Sequence, residues 1–321
     1  MKTRVLQVDP LEPAPEPLAE AAAILRRGGL VAFATETVYG LGAIATDAQA
    51  VARIYAAKGR PSFNPLIVHV DGIDQARRFA ASWSELANRL AGRFWPGPLS
   101  IVLPKTAAIP PIVSAGRETI ALRVPAPAVA RGLIARTMLP LAAPSANRSN
   151  AAHVLAGLDG RIDLVLDSGP TAVGLESTVV RPDGKSLQIL RPGPIGLAEL
   201  RECVEGIPGV EISWPKSANS EGEPAPASPG QLSIHYAPRT KAVRIETPQD
   251  LATLTWPDRA GLLVLGEMTP DVLPTAEPRI LLPTSPDAAR QLYAALHDLD
   301  AAKLDLIVVL MPPDTDEWRA V

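Results

Sequence analysis

The sequence has 321 residues and a hydrophobic fraction of 47%, which is enough for two domains that each bury a core of their own. Its net charge of −3 argues against a protein whose main role is to bind nucleic-acid phosphates, because such proteins normally carry an excess or a cluster of cations. Cys203 is the only cysteine, so an intramolecular disulfide and a CxxC metal site are excluded. The sequence has no pattern of a signal peptide or a membrane span, and we expect a cytoplasmic protein.

The first 200 residues combine helical and strand patterns without a strict strand-helix-strand alternation. Helices are predicted from apolar residues at helical spacing, and strands from short apolar runs between Gly and Pro turns. In chain order the predicted elements are helix 17–27, strand 30–35, helix 47–58, strand 66–70, helices 75–80 and 85–94, and strands 100–103, 120–124, 139–142, 164–167, 176–180 and 187–190. This order favours an α/β protein, α+β-like, in which helices flank a twisted mixed β-sheet, over a Rossmann fold or a barrel.

The composition changes near residue 214, where a stretch rich in Pro, Ser, Gly and Ala begins and runs to about residue 229. Such a composition is typical of a linker. Strand and helix patterns then resume, with strands predicted at 241–245, 260–265 and 304–310 and helices at 249–254 and 286–299. We therefore predict a first domain at residues 1–210, a linker at 211–240, and a small parallel α/β domain at 241–321.

The segment KGRPSFNPLIVH, residues 58–69 and called the basic segment below, is the first candidate site. Lys58 and Arg60 lie on a loop stiffened by two prolines, and cations held in this way suit a polyanion such as a nucleotide triphosphate. The alternative interpretation is a solvated basic turn that leads into strand 66–70. Polar loops at the ends of other predicted strands favour the first of these two interpretations.

Four further loops carry small polar side chains or an arginine next to a predicted strand: TETVYGLG at 35–42, APSAN at 143–147, GLESTVV at 174–180 and LRPGPI at 190–195. Each one alone could be an ordinary connection, and the first could be a simple link from a strand to a helix. Ligand sites of sheet proteins gather in loops at strand ends, so their recurrence indicates a binding site. Walker A, HExxH, GxSxG and metal-ligand spacings are all missing from the sequence.

Of the four histidines, His69 and His235 lie beside these polar segments, whereas His153 and His297 are interpreted as structural. The segments TETVYGLG, KGRP with NPLIVH, WPGPLS, APSAN, ESTVV, LRPGPI and SPGQLSIHYAP occur in an order and at a spacing that closely resemble the YrdC-type threonylcarbamoyl-AMP synthases in their longer, two-domain form. The resemblance covers residues 17–240.

The resemblance implies a YrdC-like catalytic domain, a linker that acts as a lid, and an accessory α/β domain. It also implies a nucleotidyltransferase that joins L-threonine, bicarbonate or CO2, and ATP into threonylcarbamoyl-AMP and releases pyrophosphate. Mg²⁺ is expected with ATP, and no metal ligands are expected from the protein. The product would pass to the proteins that transfer the threonylcarbamoyl group to tRNA.

Carried over position by position, the resemblance assigns L-threonine contacts to Thr35, His69, Arg123, Ser145 and Ser177. It assigns ATP contacts to Arg60, Asn64, Thr119, Asn147, Arg191 and Tyr236, with Lys58 on the phosphates. Lys58 and Arg60 are the expected catalytic cations, and no residue is assigned as the general base. The sequence departs from the family in a shorter loop after Asn147, where one ATP contact is expected to be missing, and it ends without the final helix of the accessory domain.

Two other functions are compatible with this sequence. A noncatalytic RNA-binding module of the same fold is disfavoured by the acidic balance and by the lack of aromatic residues near the cations. A related carbamoyl-transfer enzyme would carry additional metal-binding or acylphosphatase-like regions, which the sequence does not show.

Overall fold

The computed structural model describes residues 2–146, 150–214, 238–251, 253–267 and 276–321. The chain forms two compact units, Met1–Ala172 with Glu176–Ser233, and Val173–Leu175 with Ile234–Val321. Three residues that interrupt the first unit in sequence, Val173–Leu175, thus belong to the second unit, and Leu175 is part of its hydrophobic core. No sequence pattern predicted that these residues belong to the second unit.

The first unit contains eleven strands and seven helices within the described residues. They are β1 Arg4–Gln7, α1 Pro15–Arg26, β2 Val31–Ala34, β3 Tyr39–Ile44, α2 Ala48–Lys58, β4 Ile67–His69, α3 Ile73–Phe79, α4 Glu85–Phe94, β5 Leu99–Pro104, β6 Thr119–Arg123, α5 Ala128–Thr137, β7 Leu141–Ala142, α6 Ala151–Leu158, β8 Leu164–Asp167, β9 Thr178–Asp183, β10 Ser186–Arg191, α7 Leu197–Val204 and β11 Glu211–Ser213.

These strands form one sheet in the order β1-β8-β2-β3-β7-β4-β6-β5-β9-β10-β11. The sheet combines parallel pairs, such as β4 with β6, and antiparallel pairs, such as β2 with β3. The prediction of a mixed sheet with flanking helices is therefore confirmed.

The central strands separate an apolar face from a polar face by simple alternation. Leu66, Val68 and Leu122 are buried in the main hydrophobic core, and burying side chains of this size stabilises the fold by about 1.5–3 kcal/mol each. His69 pairs in register with Arg123. Because neighbouring side chains in a strand point to opposite faces, His69 and Arg123 share the face that lies away from this core.

The alternative of a simple strand-to-helix link after residue 35 does not hold, because residues 39–44 form strand β3. Glycines are depleted in strands, so the presence of Gly40 and Gly42 made strand β3 hard to predict from the sequence. The structure requires both to be small: a Cβ on Gly42 would lie 2.8 Å from Cε1 of Phe33, and one on Gly40 would lie 3.2 Å from Cβ of Ala143.

Lys58 is the last residue of helix α2, which is capped at both ends. The Asp47 side chain accepts hydrogen bonds from the backbone N–H groups of Gln49 and Ala50 at 2.9 and 3.1 Å, which is standard N-cap geometry. Gly59 ends the helix in the left-handed region, with a φ of 59°. Only glycine adopts this conformation freely, so the chain turns sharply immediately after Lys58.

The second unit contains a four-stranded, fully parallel sheet in the order β12-β15-β13-β14. Its elements are β12 Ala242–Ile245, α8 Pro248–Leu251, β13 Ala260–Leu265, β14 Arg279–Leu282, α9 Ser285–Ala301, β15 Leu306–Leu310 and a 3-10 turn at Asp316–Trp318. The predicted small parallel α/β unit is confirmed. Strand β14 was not predicted.

Candidate active site

A pocket lies against the polar face of the central strands of the first unit and is called the central pocket below. It is lined by Thr35, Thr37, Val38, Gly40, Ile67, His69, Arg123, Ala143, Ser145, Glu176, Ser177 and Arg191. All five residues assigned to L-threonine by resemblance therefore meet in one place. Of those assigned to ATP, Arg191 is also part of the lining.

The hairpin between β2 and β3 forms one wall through a network of threonine hydroxyls. Thr35 Oγ1 lies 2.8 Å from Thr37 Oγ1 and donates to the backbone oxygen of Val38 at 2.7 Å. It also accepts from the backbone N–H of Val38 at 3.2 Å. These bonds fix the hairpin so that Thr37 points at the last residue of β6.

That residue, Arg123, is held from three directions and is only 3% exposed. Its Nε donates to the backbone oxygen of Gly97 at 3.2 Å, and its Nη1 donates to Thr37 Oγ1 at 3.0 Å. Nη2 lies 2.9 Å from Oε1 of Glu36. A buried guanidinium needs such partners because an unpaired buried charge is very costly.

Glu36 was not predicted as a site residue. Its second carboxylate oxygen, Oε2, accepts a hydrogen bond from the backbone N–H of Ala126 at 3.2 Å. The available signal was an acidic residue placed between two threonine hydroxyls in TETVYGLG. Its partner, 87 positions further along the chain, could not be found from local pattern.

His69 is buried at the end of β4, with its ring edge-on to Phe33 at a centroid distance of 6.3 Å. Burial, together with the nearby charge of Arg123, lowers the pKa of His69 to about 3. The imidazole is therefore neutral at physiological pH. A neutral imidazole can accept one hydrogen bond and donate another, but it supplies no positive charge to a ligand.

Arg191 ties the LRPGPI loop to the start of β9. Its Nη2 donates to the backbone oxygen of Ser177 at 2.8 Å and to Ser177 Oγ at 3.0 Å, and its Nη1 donates to Oε2 of Glu176 at 2.5 Å. Ser177 Oγ in turn lies 2.8 Å from Ser100 Oγ. These hydrogen bonds of Arg191 hold Glu176 and Ser177 in place in the wall of the central pocket.

Gly193 allows the same loop to approach the backbone of β9. A Cβ at this position would lie 2.4 Å from the backbone nitrogen of Thr178 and 2.7 Å from the backbone oxygen of Glu176. Real side chains do not tolerate such distances, so only glycine fits here. The PGP turn therefore positions Glu176 and Ser177 through direct backbone packing.

The basic segment joins the central pocket through Lys58. Its Nζ donates to the backbone oxygen of Ser145, which lines the pocket. Arg60 donates from Nη2 to the backbone oxygen of Pro65 at 3.2 Å. Burial and, to a smaller extent, the charge of Arg60 lower the pKa of Lys58 to about 7, with the carboxylate of Glu176 opposing both effects.

Asn64 is 1% exposed, and its backbone oxygen accepts a hydrogen bond from Tyr55 Oη at 3.0 Å. Its side-chain Oδ1 has no hydrogen-bond partner among the residues that the structure describes. An unpartnered buried amide oxygen costs about 1–3 kcal/mol. Such an atom is available to a ligand donor.

Three of the predicted ATP contacts lie away from this cluster or outside the described residues. Thr119 begins β6 and pairs with Pro104, so it lies four positions, or about 13 Å, from Arg123 along the strand. Asn147 and Tyr236 fall outside the described residues, as does His235. The contacts assigned to these residues remain predictions.

The described part of the chain contains no group of three or more His, Cys, Asp or Glu residues arranged to hold a metal ion. None of its helices is long and apolar enough to cross a membrane.

Comparison with known proteins matches both units. Residues 23–193 match a family described as "Telomere recombination" (Sua5_yciO_yrdC), and residues 195–321 match a family described as "Threonylcarbamoyl-AMP synthase, C-terminal domain". The chain belongs to the Sua5/YciO/YrdC family, in the two-domain Sua5 form.

Two curated relatives are similar over most of their length. The threonylcarbamoyl-AMP synthase of Bacillus subtilis is 40% identical, with 95% of this chain and 90% of the relative covered. That of Pyrococcus abyssi is 37% identical, with 90% and 86% covered. A crystal structure of P. abyssi Sua5 complexed with L-threonine has a TM-score of 0.86 at 34% identity and covers 99% of this chain and 95% of that one.

Proposed function

We propose that this protein is an L-threonylcarbamoyladenylate synthase, which converts L-threonine, bicarbonate or CO2, and ATP into threonylcarbamoyl-AMP and pyrophosphate. The observation that carries the proposal is the central pocket, in which a buried arginine and several hydroxyls lie beside the basic segment. The names of the curated relatives support this function over a noncatalytic RNA-binding module.

The amino-acid end of the reaction is assigned to the pocket itself. The planar guanidinium of Arg123 suits the two oxygens of the threonine carboxylate, because the fork of N–H donors matches them. The hydroxyls of Thr35, Ser145 and Ser177 can hydrogen-bond the threonine side chain and carbamate. The threonine-bound structure of P. abyssi Sua5 supports L-threonine as the substrate.

The nucleotide end is assigned to the basic segment. Lys58 and Arg60 supply positive charge to the triphosphate, Asn64 offers its buried Oδ1 to a donor of ATP, and Arg191 completes this end of the pocket. The chemical step is attack of the carbamate oxygen on the α-phosphorus, with release of pyrophosphate. Positioning and charge stabilisation are the main needs of such a transfer, so the protein acts here as a nucleotidyltransferase.

Mg²⁺ enters this scheme as part of the substrate MgATP. The two carboxylates next to the pocket, Glu36 and Glu176, are each paired with an arginine, so they do not suit direct metal ligation. Mg²⁺ in nucleotide sites usually keeps several waters and is held by substrate phosphates with one or two carboxylates, and here the phosphate oxygens and water are its ligands in our proposal. Asn147 and Tyr236, which lie outside the described residues, are the further ATP contacts in this proposal, and Tyr236 is expected to help exclude water from the reactive anhydride.

The decisive experiment measures pyrophosphate release from ATP with each substrate omitted in turn. We expect release only when L-threonine, bicarbonate and ATP are all present. Equal release without threonine, or none with all three, would contradict the proposal. The product, a reactive mixed anhydride, requires a tRNA threonylcarbamoyl-transfer protein to consume it.

A further inference from the structure

Lys58 occupies the boundary between the two ends of the proposed substrate site. It is the last residue of α2, and the left-handed turn at Gly59 fixes where the helix ends. Its Nζ donates to the backbone oxygen of Ser145, a residue of the central pocket. The amine of Lys58 thus contacts a residue of the central pocket and belongs itself to the basic segment.

The charges that surround Lys58 come from two directions. Arg60 lies on the same loop, and Glu176 approaches from the segment before β9. The carboxylate of Glu176 is shared, because it also pairs with Arg191. On α2 itself the nearest ionisable neighbour is Tyr55, whose pKa is raised to about 12 by burial, so this phenol is neutral. Among the described residues, Glu176 is therefore shared between Lys58 and Arg191, while Arg60 adds a positive charge that opposes protonation of Lys58.

This arrangement disfavours a proton on Lys58 until an anion arrives. Burial and the charge of Arg60 together lower the pKa of Lys58 to about 7, although Glu176 opposes them. At pH 7.5 a group with this pKa is roughly three-quarters neutral. A bound triphosphate reverses the balance, because several negative charges then stabilise the ammonium form.

We propose that Lys58 is the proton acceptor for the ammonium group of L-threonine, and that ATP binding drives this transfer. The inference rests on the proposed function and assigns the base that sequence comparison leaves open. The neutral amine of Lys58 takes up a proton when the triphosphate binds beside it. Threonine is the source of that proton when its ammonium group lies in the central pocket.

The step balances without any further reactant. The ammonium form of threonine and bicarbonate give the carbamate, one water and one proton, as the C–N bond forms and a C–O bond of bicarbonate breaks. Lys58 takes that proton. The carbamate oxygen then attacks the α-phosphorus and the bond to pyrophosphate breaks. As pyrophosphate leaves, Lys58 loses its anionic neighbour and returns the proton to solvent.

The first test measures proton uptake when MgATP binds to the full-length protein in the absence of threonine. Titration calorimetry at pH 7.5 in buffers of different ionisation enthalpy gives the number of protons bound per ATP. The variant Lys58→Arg keeps the positive charge but cannot be neutral in this range. We expect the wild-type protein to take up about 0.7 proton per ATP more than this variant.

Lys105→Arg is the matched control, because Lys105 also donates from Nζ to a backbone oxygen, that of Ile109 at 3.2 Å, and takes no part in the central pocket. It should show the wild-type uptake. Equal uptake by wild type and Lys58→Arg, with ATP bound to both, would overturn the proposal.

A second measurement covers the case in which Lys58→Arg does not bind ATP. Carbon-13 dimethylation of the lysines allows each amine to be titrated by NMR. We expect one resonance, absent from Lys58→Arg, to titrate near pH 7 without ATP and at least two pH units higher with MgATP. If every lysine titrates above pH 9 without ATP, the inference is wrong.

These outcomes are separable from failure of the proposed function. Threonine-dependent pyrophosphate release without proton uptake leaves the synthase activity standing and removes only the role of Lys58. Loss of threonine dependence in wild type removes the activity itself.

Discussion

The carboxylate of Glu36 lies 2.9 Å from Nη2 of Arg123, and the two side chains are only 12% and 3% exposed. A buried ion pair contributes little net stability but is very sensitive to loss of one partner. Glu36 also accepts from the backbone N–H of Ala126, just ahead of α5. It therefore fixes Arg123 relative to both the hairpin wall and the chain that follows β6.

The first prediction concerns Glu36. The variant Glu36→Gln keeps the shape but removes the charge that holds Arg123, so we expect threonine to bind roughly tenfold more weakly. Titration calorimetry with L-threonine measures this, and MgATP affinity should change less than twofold. Glu85→Gln, in the exposed first turn of α4, is the control. Unchanged threonine affinity in Glu36→Gln would show that the ion pair does not position Arg123.

The second prediction concerns Arg123 itself. Arg123→Lys retains one positive charge but loses the planar guanidinium, which can bind a carboxylate while it also donates to Thr37 and Gly97. We expect threonine affinity to fall at least 100-fold, with folding preserved as judged by circular dichroism. Arg131→Lys, at an exposed position of α5, should bind threonine normally. If threonine affinity fell less than threefold in Arg123→Lys, the threonine carboxylate would have to bind at another residue.

The third prediction compares one substitution at two glycines. Gly193→Ala places a Cβ 2.4 Å from the backbone nitrogen of Thr178, so we expect a loss of about 1–3 kcal/mol of unfolding free energy and a displaced Ser177. Gly157→Ala lies in helix α6, where a Cβ would meet no atom within 4 Å apart from its chain neighbours and the backbone of the helix itself, and it should stabilise the protein by about 0.5–1 kcal/mol. Thermal unfolding of both variants measures the difference, and equal melting temperatures would contradict the prediction.

The fourth prediction concerns pH. The pKa of His69 in the folded protein, about 3, lies below the ordinary histidine value of 6.5, so the unfolded chain binds more protons between these two pH values. Stability contributed by neutral His69 is therefore complete above about pH 6.5 and falls as the pH falls, by about 2 kcal/mol at pH 5. Hydrogen exchange of the β4 amides, corrected for intrinsic rates, should show this loss.

His69→Gln should remove that part of the pH dependence. His297→Gln, on helix α9 of the second unit, should leave it unchanged. An identical loss of β4 protection at pH 5 in wild type and His69→Gln would assign the effect to another group.

The sequence predicted the polar residues of the pocket better than it predicted the strands that carry them. Thr35, His69, Arg123, Ser145 and Ser177 all line the central pocket, because their motifs could be recognised in order along the chain. Strand β3 was missed, since its two glycines are chosen for packing against Phe33 and Ala143 rather than for strand propensity.

Partners distant in sequence could not be predicted from local pattern. The pairs of Glu36 with Arg123, and of Lys58 with Ser145, depend on the sheet order, in which β3 and β7 lie between β2 and β4. The hydrogen bonds of Arg191 to Glu176 and Ser177 could likewise not be predicted from the local sequence. An arginine that was predicted to bind ATP can thus also stabilise the residues that line the central pocket.

The register of β4 and β6, which pairs His69 with Arg123, makes ligand recognition a check on correct folding. A slip of one residue would turn either side chain into the apolar core and bring a leucine or valine to the pocket, because strand faces alternate with a period of two. A misfolded chain with this error would retain its secondary structure and lose its substrate site. Threonine binding therefore reports a correctly aligned sheet more sensitively than circular dichroism does.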